Sequence, residues 1–92
     1  MNMIEVKYLM SIHNLATKEQ ISAWVSDVKK IKNINTIAEN MCAMNYLGWQ
    51  NEGKKQQTFF DGYRKLQAHF IFNDNYGGLS EDEAMKLYRI LD

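Results

Sequence analysis

Cys42, His13 and His69 are the side chains best suited to nucleophilic or metal chemistry, and their spacing supports neither. A nucleophile needs a base within hydrogen-bond reach and an orienting group behind that base. Cys42 is the only cysteine and lies beside the apolar stripe of a predicted helix, where a free cysteine usually serves as packing. The histidines stand far apart, with no further ligand pattern around either. The sequence therefore predicts no catalytic residue, no metal site, no cofactor and no small-molecule substrate.

Residues 72–83 partly resemble the calcium loop of EF-hand proteins. Aligned on that loop, Gly77 falls at the sharp turn and Glu83 at the last position, where a bidentate glutamate is expected. Phe72 falls at position 1 of that loop and Tyr76 at position 5, where ligands are expected, and neither side chain offers a carboxylate. A glycine turn followed by a capped helix explains the same residues, so we expect no calcium there.

Aromatic side chains are concentrated in one part of the chain. Eight of the 11 lie between residues 46 and 76, interleaved with basic side chains. Phe59, Tyr63 and Phe70 suit the core face of a helix. Phe60 falls just off that stripe, and Trp49 is expected in a polar connection after Gly48. Partly exposed aromatics beside arginine are typical of protein-binding hot spots. The predicted partner-binding residues are Trp49, Phe60, Tyr76, Lys54, Lys55 and Arg64.

These features favour a small non-enzymatic protein-interaction module, a stoichiometric inhibitor or adaptor that binds a larger protein or protein complex. The small size and the high asparagine content suit a phage or mobile-element protein directed at a host or defence machine. That origin is a hypothesis from general character and rests on no motif.

A helix-turn-helix-like nucleic-acid-binding regulator is the alternative. Helices predicted at 18–32 and 36–47 are joined by three residues, which is the layout of that motif. Lys29, Lys30 and Lys32 would then contact phosphates. The second helix would expose Glu39 and Asn40 but no lysine or arginine, and the net charge is zero. Because phosphate contacts provide most of the affinity for nucleic acid, a protein partner is favoured.

The composition predicts one soluble domain spanning residues 1–92. Apolar residues make up 46%, which argues against intrinsic disorder. No apolar run approaches the ~20 residues that a bilayer crossing needs. A single cysteine and the lack of a signal-peptide pattern favour a cytoplasmic protein without membrane contact.

Helix-capping side chains recur along the chain, each followed three positions later by a carboxylate or an amide. This spacing lets the cap oxygen and the later side chain each accept a backbone N–H of the first helical turn. The pairs are Asn2/Glu5, Thr17/Gln20, Thr36/Glu39, Thr58/Asp61 and Ser80/Glu83.

The predicted fold is therefore all-α, a compact bundle of four to five short helices at about 3–14, 18–32, 36–47, 59–72 and 81–91. Gly48 is expected to end the third helix in a left-handed conformation. The alternative is α+β, with a small antiparallel meander at 46–72 and an N-terminal strand at 3–13, where apolar and polar residues alternate.

Overall fold

The computed structural model describes residues 17–92, which form four α-helices and one 3-10 turn without any strand. The helices are α1 (Lys18–Val28), α2 (Ile34–Gln50), α3 (Gly53–Phe70) and α4 (Glu81–Leu91), with the 3-10 turn at Tyr76–Gly78. The all-α prediction is confirmed, and the meander at 46–72 is wrong. The helix or strand expected near 3–14 and the Asn2/Glu5 pair lie outside the described residues.

Two of the predicted capping boxes form and start α1 and α4. At α1, the Gln20 N–H donates to Thr17 Oγ1 (3.1 Å), and the Thr17 N–H donates to Gln20 Oε1 (2.7 Å). Ser80 and Glu83 make the same reciprocal pair at α4, with both distances 3.1 Å. These bonds satisfy backbone donors that a helix start leaves open.

Helix α1 ends at Val28, four residues before the predicted end at 32. The N–H groups of Lys30 and Ile31 donate to the carbonyls three residues earlier, at 3.1 and 3.0 Å. These tighter bonds close the last turn and direct the chain into α2. Ile31 still packs against the core, where it is partly buried. Its place in the apolar stripe correctly predicted this contact but wrongly predicted a helical conformation.

Helix α2 is longer than predicted at both ends. Asn33, not Thr36, caps it, because Asn33 Oδ1 accepts the Thr36 N–H at 3.1 Å. Gly48 lies inside the helix and does not end it. Two side-chain amides satisfy carbonyls of the final turns: Asn51 donates to the Leu47 oxygen at 2.7 Å and Gln56 to the Gly48 oxygen at 2.9 Å.

Helix α3 begins at Gly53, whereas the sequence predicted a start near 59 with Thr58 as the cap. Thr58 is an interior residue whose hydroxyl donates to the Lys54 carbonyl at 2.9 Å. The polar run before Phe59 forms the first turns of the helix. Those turns need no apolar stripe, because none of their residues before Phe59 is buried.

One hydrophobic cluster joins all four helices. Helix α3 packs against α1 and α2, and α4 packs against α2. The cluster contains one buried polar side chain, Asn40, whose Oδ1 accepts the Trp24 indole N–H at 2.7 Å. Its largest fully buried side chains are Trp24, Phe59, Phe70, Ile37, Met41, Met44, Leu66 and Leu87.

In the described part of the chain, no helix combines the length and the apolar character that a membrane crossing requires.

Candidate interaction surfaces

The α2–α3 hairpin presents an aromatic surface, which we call the aromatic face and define as Trp49, Phe60, Tyr63 and Arg64 with the flanking Asn45 and Gln67. Its geometry depends on Gly48. A Cβ atom at Gly48 would lie 2.7 Å from Phe60 Cδ1, so the ring occupies space that any other residue would fill. The absence of that side chain lets Phe60 pack directly on the backbone of α2.

Trp49 stands next to Phe60 in the last turn of α2, not in a connection beyond the helix as the sequence suggested. The two rings meet edge to face, with centroids 5.9 Å apart and an interplanar angle of 72°. Trp49 nevertheless leaves 72% of its surface exposed, and Tyr46, one turn earlier, leaves 60%. The contact orients the indole and leaves most of the ring open to a partner.

A shallow hollow of about 280 Å³ lies beside Phe60. Arg64 lines it, and the guanidinium contacts the Asp61 carboxylate at 3.3 Å in an exposed i, i+3 pair. Such exposed pairs contribute little to stability, so Arg64 can exchange Asp61 for an incoming acceptor at small cost. The hollow suits one side chain of a partner and is small for an organic cofactor.

Cys42 borders this face and interacts with Tyr63. Desolvation raises the pKa of the Tyr63 phenol, and the charge of Cys42 raises it further. Desolvation also raises the pKa of the Cys42 thiol. A raised thiol pKa lowers the thiolate fraction at neutral pH, which is the opposite of what a nucleophilic cysteine requires.

The structure brings together three of the six predicted partner-binding residues: Trp49, Phe60 and Arg64. Tyr76 packs against the core beyond the C-terminal end of α3, whereas Trp49 lies beside the N-terminal half of that helix. Lys54 lies on the opposite flank of α3 from Phe60. Lys55 is half-buried in the first turn of α3 and does not line the hollow beside Phe60.

A second concave surface, the lysine groove, lies between α1 and α3 with a volume of about 510 Å³. Lysines stand at its margins and small polar side chains lie along its walls. Its lining residues are Lys18, Ile21, Ser22, Val25 and Ser26 from α1, Lys29 directly after that helix, and Lys54, Gln57, Thr58, Asp61, Gly62 and Lys65 from α3.

Sequence reasoning missed this groove, because its residues come from segments about 35 residues apart. A weak signal was present: Lys18/Lys29 and Lys54/Lys65 both have i, i+11 spacing. Eleven residues make close to three helical turns, which brings both members of a pair to the same side of a helix. The spacing could be recognised as a shared helix side only with the correct bounds of α3, since Lys54 was predicted to lie in a connection before that helix.

The lysines of the nucleic-acid alternative are divided among three environments. Lys29 lines the groove, and Lys30 is exposed outside it. The Lys32 ammonium donates to the Gly77 carbonyl at 3.0 Å and so ties the α1–α2 connection to the 3-10 turn. Asn40, expected on the exposed face of the second helix, is fully buried against Trp24.

Within residues 17–92, no cluster of three or more His, Cys, Asp or Glu side chains is arranged to hold a metal ion. Residues 72–83 form a turn, the 3-10 segment and the start of α4, with Glu83 engaged by the Ser80 N–H.

Comparison of the chain with protein-family models, with curated proteins and with solved structures finds no match.

Proposed function

We propose that this protein is a non-enzymatic interaction module that binds a larger protein through the aromatic face. The observation that supports the proposal best is Trp49, whose ring meets Phe60 edge to face and yet leaves 72% of its surface in water. Tryptophan, tyrosine and arginine are the residues most enriched at binding hot spots, and this face combines all three.

The energetics of the face agree with a docking role. Covering the exposed indole would remove apolar area from water at about 25 cal/mol per Å². The Phe60 ring is pre-positioned by Gly48, so binding would cost little side-chain entropy there. Arg64 lies in the adjacent hollow and supplies a charged donor for a partner carboxylate.

The proposed mode of action rests on the exposed anchor cluster of the aromatic face. A domain with such a cluster would act by covering a surface on its partner, as a stoichiometric inhibitor or an adaptor does. A phage or mobile-element protein that blocks a host or defence machine is the biological setting we propose for such an activity.

The test is quantitative capture of a partner from native-host lysate by the tagged protein and by its Trp49→Ala variant. If Trp49 is a hot spot, its loss costs at least ~2 kcal/mol, which is roughly a 30-fold weaker affinity. Tyr88→Ala is the matched control, because Tyr88 is an exposed aromatic (44%) on α4, away from the aromatic face. Thermal melts of both variants verify that the fold is intact.

Two results would overturn the proposal. One is equal capture of the same partner by the wild type and by Trp49→Ala, since the face would then contribute nothing. The other is capture that disappears when the lysate is treated with nuclease, since the retained molecule would then be a nucleic acid or a protein bound to one.

A further inference from the structure

The lysine groove is an open channel with a closed apolar floor. Gly62 allows α1 and α3 to approach closely: a Cβ atom there would lie 3.0 Å from both Val25 Cγ2 and Met44 Sδ. Ile21 and Val25 expose only 2% and 6% of their surface at the floor. A ligand in the groove would therefore bury little new apolar area, and its affinity has to come from polar and charged contacts.

The charge along the groove is strongly positive although the net charge of the chain is zero. Lys18 and Lys29 lie on one wall, and Lys54 and Lys65 lie on the other. Within each pair the separation is ~16 Å along the helix axis, at 1.5 Å per residue. The two helices run in the same direction, since Gly62 contacts Val25 and the more C-terminal His69 lies near Lys29.

Few carboxylates compete for these ammonium groups. Among the described residues, Asp61 is the only acidic one that lines the groove, and its carboxylate contacts Arg64. Across residues 17–92, no ion pair engages any of the four groove lysines. Four cations are thus held around one channel, and an extended anion would relieve their mutual repulsion.

The side-chain chemistry favours phosphate over an acidic peptide. Four lysines line the groove, and lysine is a common phosphate binder that acts as a compact point charge. Ser22, Ser26 and Gln57 add the hydroxyl and amide donors that commonly contact phosphate oxygens. A peptide would also need apolar pockets for anchoring side chains, and the buried floor offers none.

We infer that the lysine groove binds the sugar–phosphate backbone of a double-stranded nucleic acid without reading its sequence. Within residues 17–92, no aromatic side chain lines the groove, so its described walls lack the stacking platform on which single strands depend. The aromatic face lies on the other flank of α3 and stays free for a protein.

Binding of a fluorescein-labelled 20-base-pair DNA duplex, followed by anisotropy at 50–200 mM salt, tests this inference. The groove variant is Lys29→Gln/Lys65→Gln. The charge-matched control is Lys30→Gln/Lys86→Gln, whose lysines are exposed and lie outside the groove. We expect at least tenfold weaker binding for the groove variant at 50 mM salt and less than threefold for the control. The slope of log K against log salt should fall by about 1.8 in the groove variant, for two lost phosphate contacts.

Several results would overturn the assignment. Equal losses in the two double variants would show that general charge and not the groove attracts DNA. Tighter binding of oligo(dT) or of poly-glutamate than of the duplex would assign the groove to a single strand or to an acidic protein segment. Absence of duplex binding at 50 mM salt would remove the activity altogether.

The two proposals fail independently. Trp49→Ala leaves all four groove lysines in place and should not change duplex binding, whereas Lys29→Gln/Lys65→Gln leaves the aromatic face intact. A loss of partner capture in one variant and of duplex binding in the other would therefore separate the two surfaces.

Discussion

His69 occupies an unusual position for a histidine near the surface. Among the described residues, Nε2 of His69 is buried and has no hydrogen-bond partner. The ring lies beside Gly77 and meets Phe70 edge to face, with centroids 4.7 Å apart. Desolvation lowers the pKa of His69, and the neighbouring charge of Lys29 lowers it further, whereas a hydrogen bond with the Lys29 backbone opposes that shift. The folded state therefore favours the neutral imidazole.

This pKa shift predicts that acidification destabilises the protein. Because the folded pKa of His69 lies below the unfolded value of about 6.5, the unfolded state binds more protons in the interval between them. The contribution to stability is complete above about pH 6.5 and is lost as the pH falls through the folded pKa. Urea unfolding at pH 7.5, 6.5 and 5.5 should show a declining free energy of unfolding.

The His69→Gln variant provides the control for that decline. It removes the titrating group, so its free energy of unfolding should vary less between pH 7.5 and 5.5 than that of the wild type, whatever the absolute loss. The carboxyl pKa of Glu83 is also lowered, by the Ser80 cap, but it titrates below about pH 4.5 and does not interfere. An unchanged pH dependence in His69→Gln would assign the effect to other groups.

At the scale of helices, two serine or threonine residues share one sequence pattern and differ in structure. Ser80 and Thr58 both precede an acidic residue by three positions. Ser80 accepts the Glu83 N–H and starts α4, whereas Thr58 lies within α3 and bonds the Lys54 carbonyl. Local sequence allowed both to be caps, and the extension of α3 back to Gly53 decided against Thr58.

We predict that Ser80→Ala lowers the free energy of unfolding by about 1 kcal/mol, the usual cost of losing an N-cap. Thr58→Ala should change it by less than ~0.5 kcal/mol, because alanine has the higher helix propensity and no backbone N–H loses its acceptor. Urea denaturation followed by far-UV circular dichroism measures both. Equal destabilisation by the two variants would contradict the assignment of Thr58 to the helix interior.

At the scale of the whole molecule, the single hydrophobic cluster makes α4 part of the same cooperative unit as α1. These two helices are linked mainly through α2 and α3, and yet Leu87 of α4 and Trp24 of α1 belong to one buried cluster. A shared core favours one unfolding transition in which the helices melt together. The aromatic face and the lysine groove then both depend on the same packed core.

Leu87→Ala should therefore lower the stability of the entire domain by about 2–5 kcal/mol, the range for truncating a buried leucine. Ile90→Ala is the matched control on α4: Ile90 is 48% exposed, and its loss should cost less than ~0.5 kcal/mol. Trp24 fluorescence in a Trp49→Phe background and far-UV circular dichroism should report the same midpoint. An earlier, separate loss of helix signal in Leu87→Ala would show that α4 unfolds independently.

The sequence by itself determined the features that depend on contacts within one helical turn. The Thr17 and Ser80 capping boxes and the all-α class follow from spacings of three and four residues, because backbone hydrogen bonds and amphipathic stripes repeat over that distance. Phe60 was recognisable as off the apolar stripe for the same reason, whereas Trp49 was expected in a connection and lies within α2.

Only the tertiary structure decided where helices extend and which surfaces they share. The local sequence predicts a helix end at Gly48, but the Phe60 ring packs against Gly48 and α2 continues to Gln50. Lys54 belongs with Lys18 and not with Trp49, because the packing of α1 on α3 sets which flank each side chain faces. Such contacts join residues far apart in the chain. The sequence pattern within one helix does not indicate how the neighbouring helix is oriented.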